Sequence, residues 1–391
     1  MEPSALPESG KRRFGSIAIV GFGLIGASIA RAVLKADPDV RILAVDASAD
    51  ACRKARELEI AQIAVLPGDP AFRAFVEDEA DLVILAVPVD EARTYLGLLA
   101  QWSFQGLITD TLSTKTSISK LADEVLPYPE RYIPGHPMAG SEVNGIEGSR
   151  ADLFEGAHWI LCPDEATDPD LFASLHELVT GLGARVVSLP RADHDNAIAV
   201  VSHVPHIVAS SLVQLASRHA DEQRSLMRLA AGGFKDSTRI AAGSPELWCG
   251  ISFDNCQALS QGLSEMQQII QQFKDSLDAG DRAGLTSLLA EAASVRRSLP
   301  ATWVPSTERL LEVRIPMTDR PGVVAEVTTI ASSVGCNIQS IEIDHVTESS
   351  AVLSLVLTDE GDVGQLSFKL IDAGFAVSFS PLSAKEHVHV G

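Results

Sequence analysis

Cysteine is scarce and scattered. The 391-residue chain carries five (Cys52, Cys162, Cys249, Cys256 and Cys336), an odd number with no C-x-x-C pair. That excludes a disulfide framework and a paired-cysteine zinc site, and it fits reduced thiols in the cytoplasm. Positive charge is in deficit. Lys and Arg number 31 against 52 Asp and Glu, a formal net charge of −21. Such a chain has no general attraction for nucleic acid or an anionic membrane. An anionic substrate would need a local cationic pocket working against that field. Long hydrophobic runs are missing as well. The most apolar stretch, Ser16 to Ala30, is cut by three glycines and does not read as a membrane span. The N-terminus is polar, with Pro3, Pro7 and Lys11 to Arg13 and no apolar h-region, so no signal peptide is expected. No internal repeat is evident.

What the chain does have is 46% apolar residues, enough for sizeable cores, and a length that suggests two or three domains. Its organising stretch is Ser16 to Asp46. An apolar run, Ile17 to Val20, is followed by Gly21, Gly23 and Gly26 in G-x-G-x-x-G spacing. A helical pattern and a second apolar run, Ile42 to Val45, end on Asp46. Strand, glycine turn, helix, strand and acid come in the order of a dinucleotide site. Gly21 permits the turn, Gly23 admits a pyrophosphate to the helix N-terminus, and Gly26 removes a Cβ where helix crosses strand. Asp46 can accept both hydrogen bonds of a ribose diol and repels a 2′-phosphate. Residues 47–50 offer no arginine, although Arg53 lies one helical turn on. The cofactor read from this pattern is NAD.

Residues 1–13 read as a loose tail. From Phe14 onward, apolar runs at Ile17–Val20, Ile42–Val45, Leu82–Val87, Leu107–Thr109, His158–Leu161 and Arg185–Leu189 alternate with helical segments, as parallel strands covered by helices would. Ligands in such sheets bind beyond the strands' C-terminal ends, so the loops starting at Pro88, Asp110 and Gly135 should face the cofactor. After Pro190 helical periods dominate, with Pro205 expected to kink the first helix. Ala301 to Glu308 reads as a linker. Beyond it, Leu311–Ile315, the turn Asp319-Arg320-Pro321-Gly322, a helix from Val323, strands at Ile338 and Ala351–Leu357, a helix near Val363–Ile371 and a strand at Ala376–Phe379 spell βαββαβ. The domains expected are residues 14–190, 191–300 and 309–385.

Three polar clusters interrupt this apolar text. Thr109 to Lys115 reads either as a helix start capped by Ser113 or as a hydroxyl and an ammonium at the mouth of the nucleotide site. Gly135 to Glu142 places His136 between helix-breaking residues at the end of a strand over Arg131–Pro134. That suits a general base better than core packing. His203 and His206 share a helix face, where buried histidines are the ordinary explanation and no third ligand supports zinc. Further on, Lys235 and Arg239 follow a glycine pair. An arginine can clamp a carboxylate in bidentate fashion, whereas an ordinary surface ion pair, such as Lys235 with Asp236, would mean little. No metal site is expected.

Taken together, GFGLIGAS, TDTLSTK, GHPMAGSE, VSHVPH and GGFKDSTRIAAGSPELW, in that order from Val20 to Trp248, resemble the prephenate dehydrogenases of tyrosine biosynthesis. The DRPG turn and the βαββαβ rhythm extend the resemblance to an appended ACT regulatory domain. The resemblance implies a Rossmann-type parallel sheet domain (α/β), an all-helical dimerisation domain and a C-terminal α+β ferredoxin-like domain. It implies oxidation of prephenate by NAD to 4-hydroxyphenylpyruvate and carbon dioxide. His136 matches the catalytic base, Ser113 its hydrogen-bonding serine and Arg239 the carboxylate anchor. His206 matches a second substrate-side histidine and Glu142 a gating acid, with His203 and Lys235 as supporting motif members. Gly21, Gly23, Leu24, Ile25, Gly26, Asp46 and Pro88 are the cofactor-side residues. Asp319, Arg320 and Asn337 are candidate contacts for an amino-acid effector, tyrosine being the natural hypothesis. A homodimer is expected. Arogenate dehydrogenase, a dual-substrate enzyme, an aminodeoxyprephenate dehydrogenase and a non-catalytic sensor of NAD and an amino acid are the rival readings.

Overall fold

The computed structural model describes residues 14–141, 143, 145–220, 232–298, 311–345, 350–357 and 361–381. The expected tail and linker, and Glu142, lie outside the described residues. By contact the chain divides into two units. One contains the chain up to Leu112, Ile118–Pro190 and the C-terminal residues; the other contains Ser113–Ser117 and Arg191–Val304.

The first unit opens with β1 (Ser16–Val20), α1 (Leu24–Ala36), β2 (Arg41–Val45), α2 (Ala49–Glu57), β3 (Ile63–Val65) and α3 (Pro70–Asp78). It continues through β4 (Leu82–Leu85), α4 (Val89–Gln101), β5 (Leu107–Asp110), α5 (Thr116–Val125) and β6 (Tyr132–Ile133). These strands form one parallel sheet in the order β3-β2-β1-β4-β5-β6, the Rossmann-type arrangement. Ile17, Ile19, Leu82 and Leu85 are fully buried, because helices cover both faces. The strand order reverses between β1 and β4, which puts a ligand crevice at the carboxyl ends of those two strands. β3, only three residues long, gave no legible pattern in the sequence.

Two of the six apolar runs are not in this sheet. After β6 the chain enters β7 (Gly135–Pro137), then β8 (His158–Leu161), α6 (Pro169–Gly181) and β9 (Arg185–Ser188). β7 pairs antiparallel with β8, and β8 pairs parallel with β9, in a second sheet. An apolar run reports burial on both faces; it does not name its neighbours.

The helical unit comprises α7 (Arg191–Ile198), α8 (Val204–Ala220), α9 (Gly232–Thr238), α10 (Pro245–Asp254), α11 (Cys256–Asp278) and α12 (Arg282–Ser298). Pro205 produces no break. A π-helical turn, Ala199–His203, stands directly before α8. This wider turn accommodates the proline's missing N–H and the clash its ring would make with the carbonyl four residues back.

The C-terminal residues form β10 (Leu311–Thr318), α13 (Val323–Ser333), β11 (Ile338–His345), β12 (Ser350–Leu357), α14 (Val363–Asp372) and β13 (Val377–Pro381), in the expected order. Their antiparallel sheet is not separate. β13 pairs with β9 at Val377–Ser188 and Ser378–Val187, so one seven-stranded sheet runs β11-β12-β10-β13-β9-β8-β7. Above it α14 packs on α6. A Cβ at Gly364 would lie 2.9 Å from the Ala173 Cβ, so only glycine allows this approach. The Phe172 and Phe368 rings meet at 6.1 Å, and the buried Ser188 and Ser367 hydroxyls are 3.2 Å apart. His176 of α6 lies edge-on to Phe379, and burial pushes its imidazole down to about 4.

Overpacking this contact should loosen it. Gly364→Val is expected to lower unfolding stability by about 1–3 kcal/mol. Urea denaturation checks this, and an unchanged midpoint would show that α14 is not seated on α6.

Candidate active site

The three glycines divide into two kinds. Gly21 has φ +88°, and a Cβ there would lie 2.3 Å from the Ala86 carbonyl oxygen. A Cβ on Gly26 would lie 2.0 Å from the Gly21 carbonyl oxygen. Both are therefore required by the chain's own packing. Around Gly23 nothing lies within 4 Å of a Cβ, so its smallness serves a ligand. α1 begins directly after it, with no side-chain cap and no acid in its first turn. The first N–H groups and the helix dipole are thus available to a phosphate. Leu24 and Ile25 pack against the core and hold this turn in place.

Asp46 does more than its sequence role. One carboxylate oxygen accepts the Phe22 N–H at 2.7 Å and the other accepts the Ser48 N–H at 2.7 Å, which ties the glycine turn to the end of β2. A carboxylate has about four lone-pair positions, so acceptor capacity remains for a ribose diol. Arg53 is bound to Asp50 and, at 2.6 Å, to Glu57, so its guanidinium is already engaged. Pro88 is exposed and starts α4 at the carboxyl end of β4. Gly23, the open helix start and Asp46 together fit a dinucleotide without a 2′-phosphate.

The strand expected over Arg131–Pro134 is the short β6, and His136 follows it inside a further strand, β7, where it is buried and registers with Ile160 of β8. A Cβ at Gly135 would lie 2.6 Å from the Asp110 carbonyl oxygen, so β7 passes hard against the carboxyl end of β5. Asp110 is itself buried. It accepts the Tyr132 hydroxyl at 2.5 Å and the Leu112 N–H at 2.9 Å, and the Thr109 hydroxyl donates to the Ile133 carbonyl at 2.7 Å. The histidine is therefore mounted on a rigid edge at the ligand-binding end of the sheet.

The remaining described candidates belong to the helical unit. Ser113 is half-buried and does not cap a helix, because α5 starts at Thr116. Its cap comes from Asp195 of α7, whose two oxygens accept the Lys115 and Thr116 N–H groups at 2.8 Å each. The His194 ring lies 2.8 Å from the same carboxylate. Burial raises the Asp195 carboxyl, but hydrogen bonds from His194, Thr116 and Lys115 outweigh it and hold the group at about 2. Asp254 of α10 accepts the Thr114 hydroxyl at 2.6 Å and the Ser117 hydroxyl at 2.7 Å. Asn255 donates to the Asp195 carbonyl at 2.8 Å and lies 3.3 Å from His203 Nδ1.

His203 and His206 are both buried. His206 stacks on Trp248 with ring centroids 3.5 Å apart. A Cβ at Gly243 would lie 2.6 Å from the Trp248 Nε1, so that glycine makes room for the stack. Burial pushes the His203 imidazole down to about 4, opposed by Asp195 and assisted by His194 and His206, and it lowers His206 as well. Near pH 7 both rings are neutral hydrogen-bonding groups. Lys235 is exposed on α9, and Arg239 is exposed in the 3₁₀ turn Arg239–Ala242 that follows it. Asp195, Asp254, Asn255 and Trp248 were not singled out from the sequence. Isolated acids on helices carry no motif, and only Trp248 closed one.

Two family models match the chain: "Prephenate dehydrogenase, nucleotide-binding domain" over residues 29–188, and "Prephenate dehydrogenase, dimerization domain" over residues 190–291. The C-terminal sheet strands β10 to β13 lie beyond both. The prephenate dehydrogenase of Bacillus subtilis is 32% identical over 89% of this chain and 93% of its own length. The cyclohexadienyl dehydrogenase of Zymomonas mobilis is 33% identical over 73% of this chain and 96% of its own. Among solved structures, prephenate dehydrogenase from Aquifex aeolicus, in complex with hydroxyphenyl propionate and NAD+, is 27% identical with a TM-score of 0.68. That match covers 75% of this chain and all of that one.

Two outcomes test this geometry. Gly23→Val should leave the melting temperature near that of the parent and weaken NAD binding by about 10-fold or more, read by titration calorimetry. Stability should also fall with acid in two windows. His203 is held neutral below its ordinary value, so its contribution is complete above about pH 6.5 and is lost as pH falls towards 4. Asp195 is depressed, so its contribution is complete above 3.8 and is lost towards 2. His176 shares the first window, so removing the imidazole in His203→Gln should make that part of the denaturation-midpoint profile shallower without abolishing it, and should spare the second.

Proposed function

The chain belongs to the prephenate dehydrogenase family, and on that premise we propose that it oxidises prephenate with NAD to 4-hydroxyphenylpyruvate, carbon dioxide and NADH. The observation that carries the reading is His136, a buried imidazole on β7, the strand that passes against the carboxyl end of β5 in the parallel sheet whose glycine turn fits NAD. Bound NAD is the hydride acceptor. His136 takes the proton from the C4 hydroxyl as hydride leaves C4. Loss of the ring carboxylate then makes the ring aromatic, and the protonated imidazole returns its proton to the phenolate oxygen. Ser113 has the supporting hydroxyl role that its motif position implies. Arg239 binds a substrate carboxylate in bidentate fashion, with Lys235 adding positive charge. The neutral His206, braced by Trp248, donates a hydrogen bond without needing charge, and His203 supports it. Glu142 has the gating role that its motif position implies.

We read the C-terminal βαββαβ element as an ACT-like regulatory domain. Its strand order supports this, as does Gly322, which enters α13 in a left-handed conformation after Asp319-Arg320-Pro321. Asp319, Arg320 and Asn337 are exposed there, with Arg320 held 2.5 Å from Glu326. Tyrosine is the proposed effector. A homodimer through the helical unit is also proposed. Arg191–His219 is long and apolar enough by length and composition to cross a membrane. Its exposed Val200, Val201, Leu212 and Leu215, together with Phe253, suit a second copy of this chain. Work in the cytoplasm accords with five free thiols.

The cyclohexadienyl relative keeps a dual-substrate reading in view. NADH formation with prephenate and with arogenate, each with and without tyrosine, separates the alternatives; no turnover of either would favour a sensor. His136→Ala is expected to lower kcat by about 100-fold or more. Arg239→Ala is expected to raise the KM for prephenate by about 10-fold or more. Full turnover in the first variant, or unchanged affinity in the second, would refute the assigned role.

A further inference from the structure

The loop that carries Ser113 is built by one part of the chain and held by another. Leu112 and Ile118, on either side of it, belong to the first unit, but Ser113–Ser117 belong by contact to the helical unit. The holding is specific. Four consecutive residues, Thr114 to Ser117, each donate a hydrogen bond, and every one goes to a carboxylate from a helix of that unit. Asp195 takes the two backbone donors and Asp254 the two hydroxyls. A helix start needs no more than one cap, and a loop on the surface would leave its hydroxyls to water. Here Thr114 and Lys115 are buried, so the carboxylates define where this segment lies.

The same two helices carry the substrate-side histidines' supports. Asp195 lies on the helix that runs on into the turn bearing His203, and Asn255 links its carbonyl to His203 Nδ1. Asp254 ends the helix that presents Trp248, on which His206 stacks. The four residues directly after Ser113 are therefore fixed by short, directional bonds to the framework that orients His203 and His206.

We propose that Asp195 and Asp254 are positioning residues for the reaction. They lock the Ser113 segment in register with the substrate-side histidines, so that the serine hydroxyl is set by the substrate-binding unit. This rests on the role given to Ser113 above. Neither carboxylate touches substrate; each acts through the loop.

The test uses the full-length protein. Asp254→Ala should lower kcat with prephenate by about 10- to 100-fold, the scale of an active-site group displaced by about an ångström, with KM changed by less than about twofold. Asp254→Asn, whose amide can still bond both hydroxyls, should recover most of that loss. The donor-side variant Thr114→Val/Ser117→Ala should reproduce the fall. Combining it with Asp254→Ala should add little, because both remove the same bonds. Should Asp254→Ala fail to fold by circular dichroism, the donor-side variant alone decides. Hydrogen exchange separates this inference from the substrate assignment. Amides 114–117 should exchange about 10-fold faster in the donor-side variant even if the parent oxidises no prephenate. A folded Asp254→Ala or donor-side variant with parental kcat, additive effects, a loss confined to KM, or unchanged exchange would each overturn the proposal.

Discussion

Two backbone amides at the start of α5 have no carbonyl to bond in their own helix, and a carboxylate from α7 takes both. Much of the site depends on that interaction. Lys115 is fully buried, so its amide left unpaired would cost roughly 1–3 kcal/mol. The requirement runs both ways. Asp195 is also buried, and a buried carboxylate persists in its charged form only where donors surround it. Each partner therefore makes the other tolerable. The loop's conformation, the cap of α5 and the ionisation of Asp195 are one arrangement, and none of the three stands alone.

Charge imposes the second constraint. A protein with a formal net charge of −21 must bind a dianion against its own field. The buried histidines do not help by becoming cationic, since burial holds His203 at about 4. In the role proposed for them they contribute direction, through rings oriented by Asn255 and by the face of Trp248. In the proposed roles, net attraction falls to Arg239 and Lys235, which are exposed and so weakened by salt. Division of labour between oriented neutral donors and cationic side chains follows from how costly a protonated imidazole would be in a buried position.

Much of this was legible in the sequence, for physical reasons that can be named. The glycine turn was readable because Gly21 and Gly26 meet steric limits that only one residue satisfies. The buried strands were readable because both faces are apolar. What escaped was set by partners distant in sequence. β8 pairs with β7 and β9 and not with the parallel sheet, and β9 pairs onward with β13, and nothing within β8 or β9 announces those neighbours. Ser113 looked like a helix cap because its residue type suits one, yet Asp195, 80 residues from Lys115, took that role. Pro205 was expected to kink its helix, and the π turn Ala199–His203 that stands just before it had no signal in the sequence. Local propensity reads local geometry well; it cannot say which of several adequate donors or strands wins.

The seven-stranded sheet sets the terms for any influence of the C-terminal residues on His136. Between them run β13, β9, β8 and β7, with His136 at the far edge. Continuity alone couples nothing, since a uniformly stiff sheet has only one arrangement; coupling requires an element with two. The weakest joint is identifiable. β13 and β9 share a register of only two residue pairs, whereas β10 and β12 share eight. That joint is reinforced from above by α14, which approaches α6 as only Gly364 permits and meets β9 through the Ser367–Ser188 pair at 3.2 Å. A short ladder backed by a close helix contact can exist in seated and unseated forms without unfolding either side. If effector binding reaches the base-bearing strand, the seating of α14 on α6 is the place to look for the energy difference, because the ladder that it backs is only two residue pairs long.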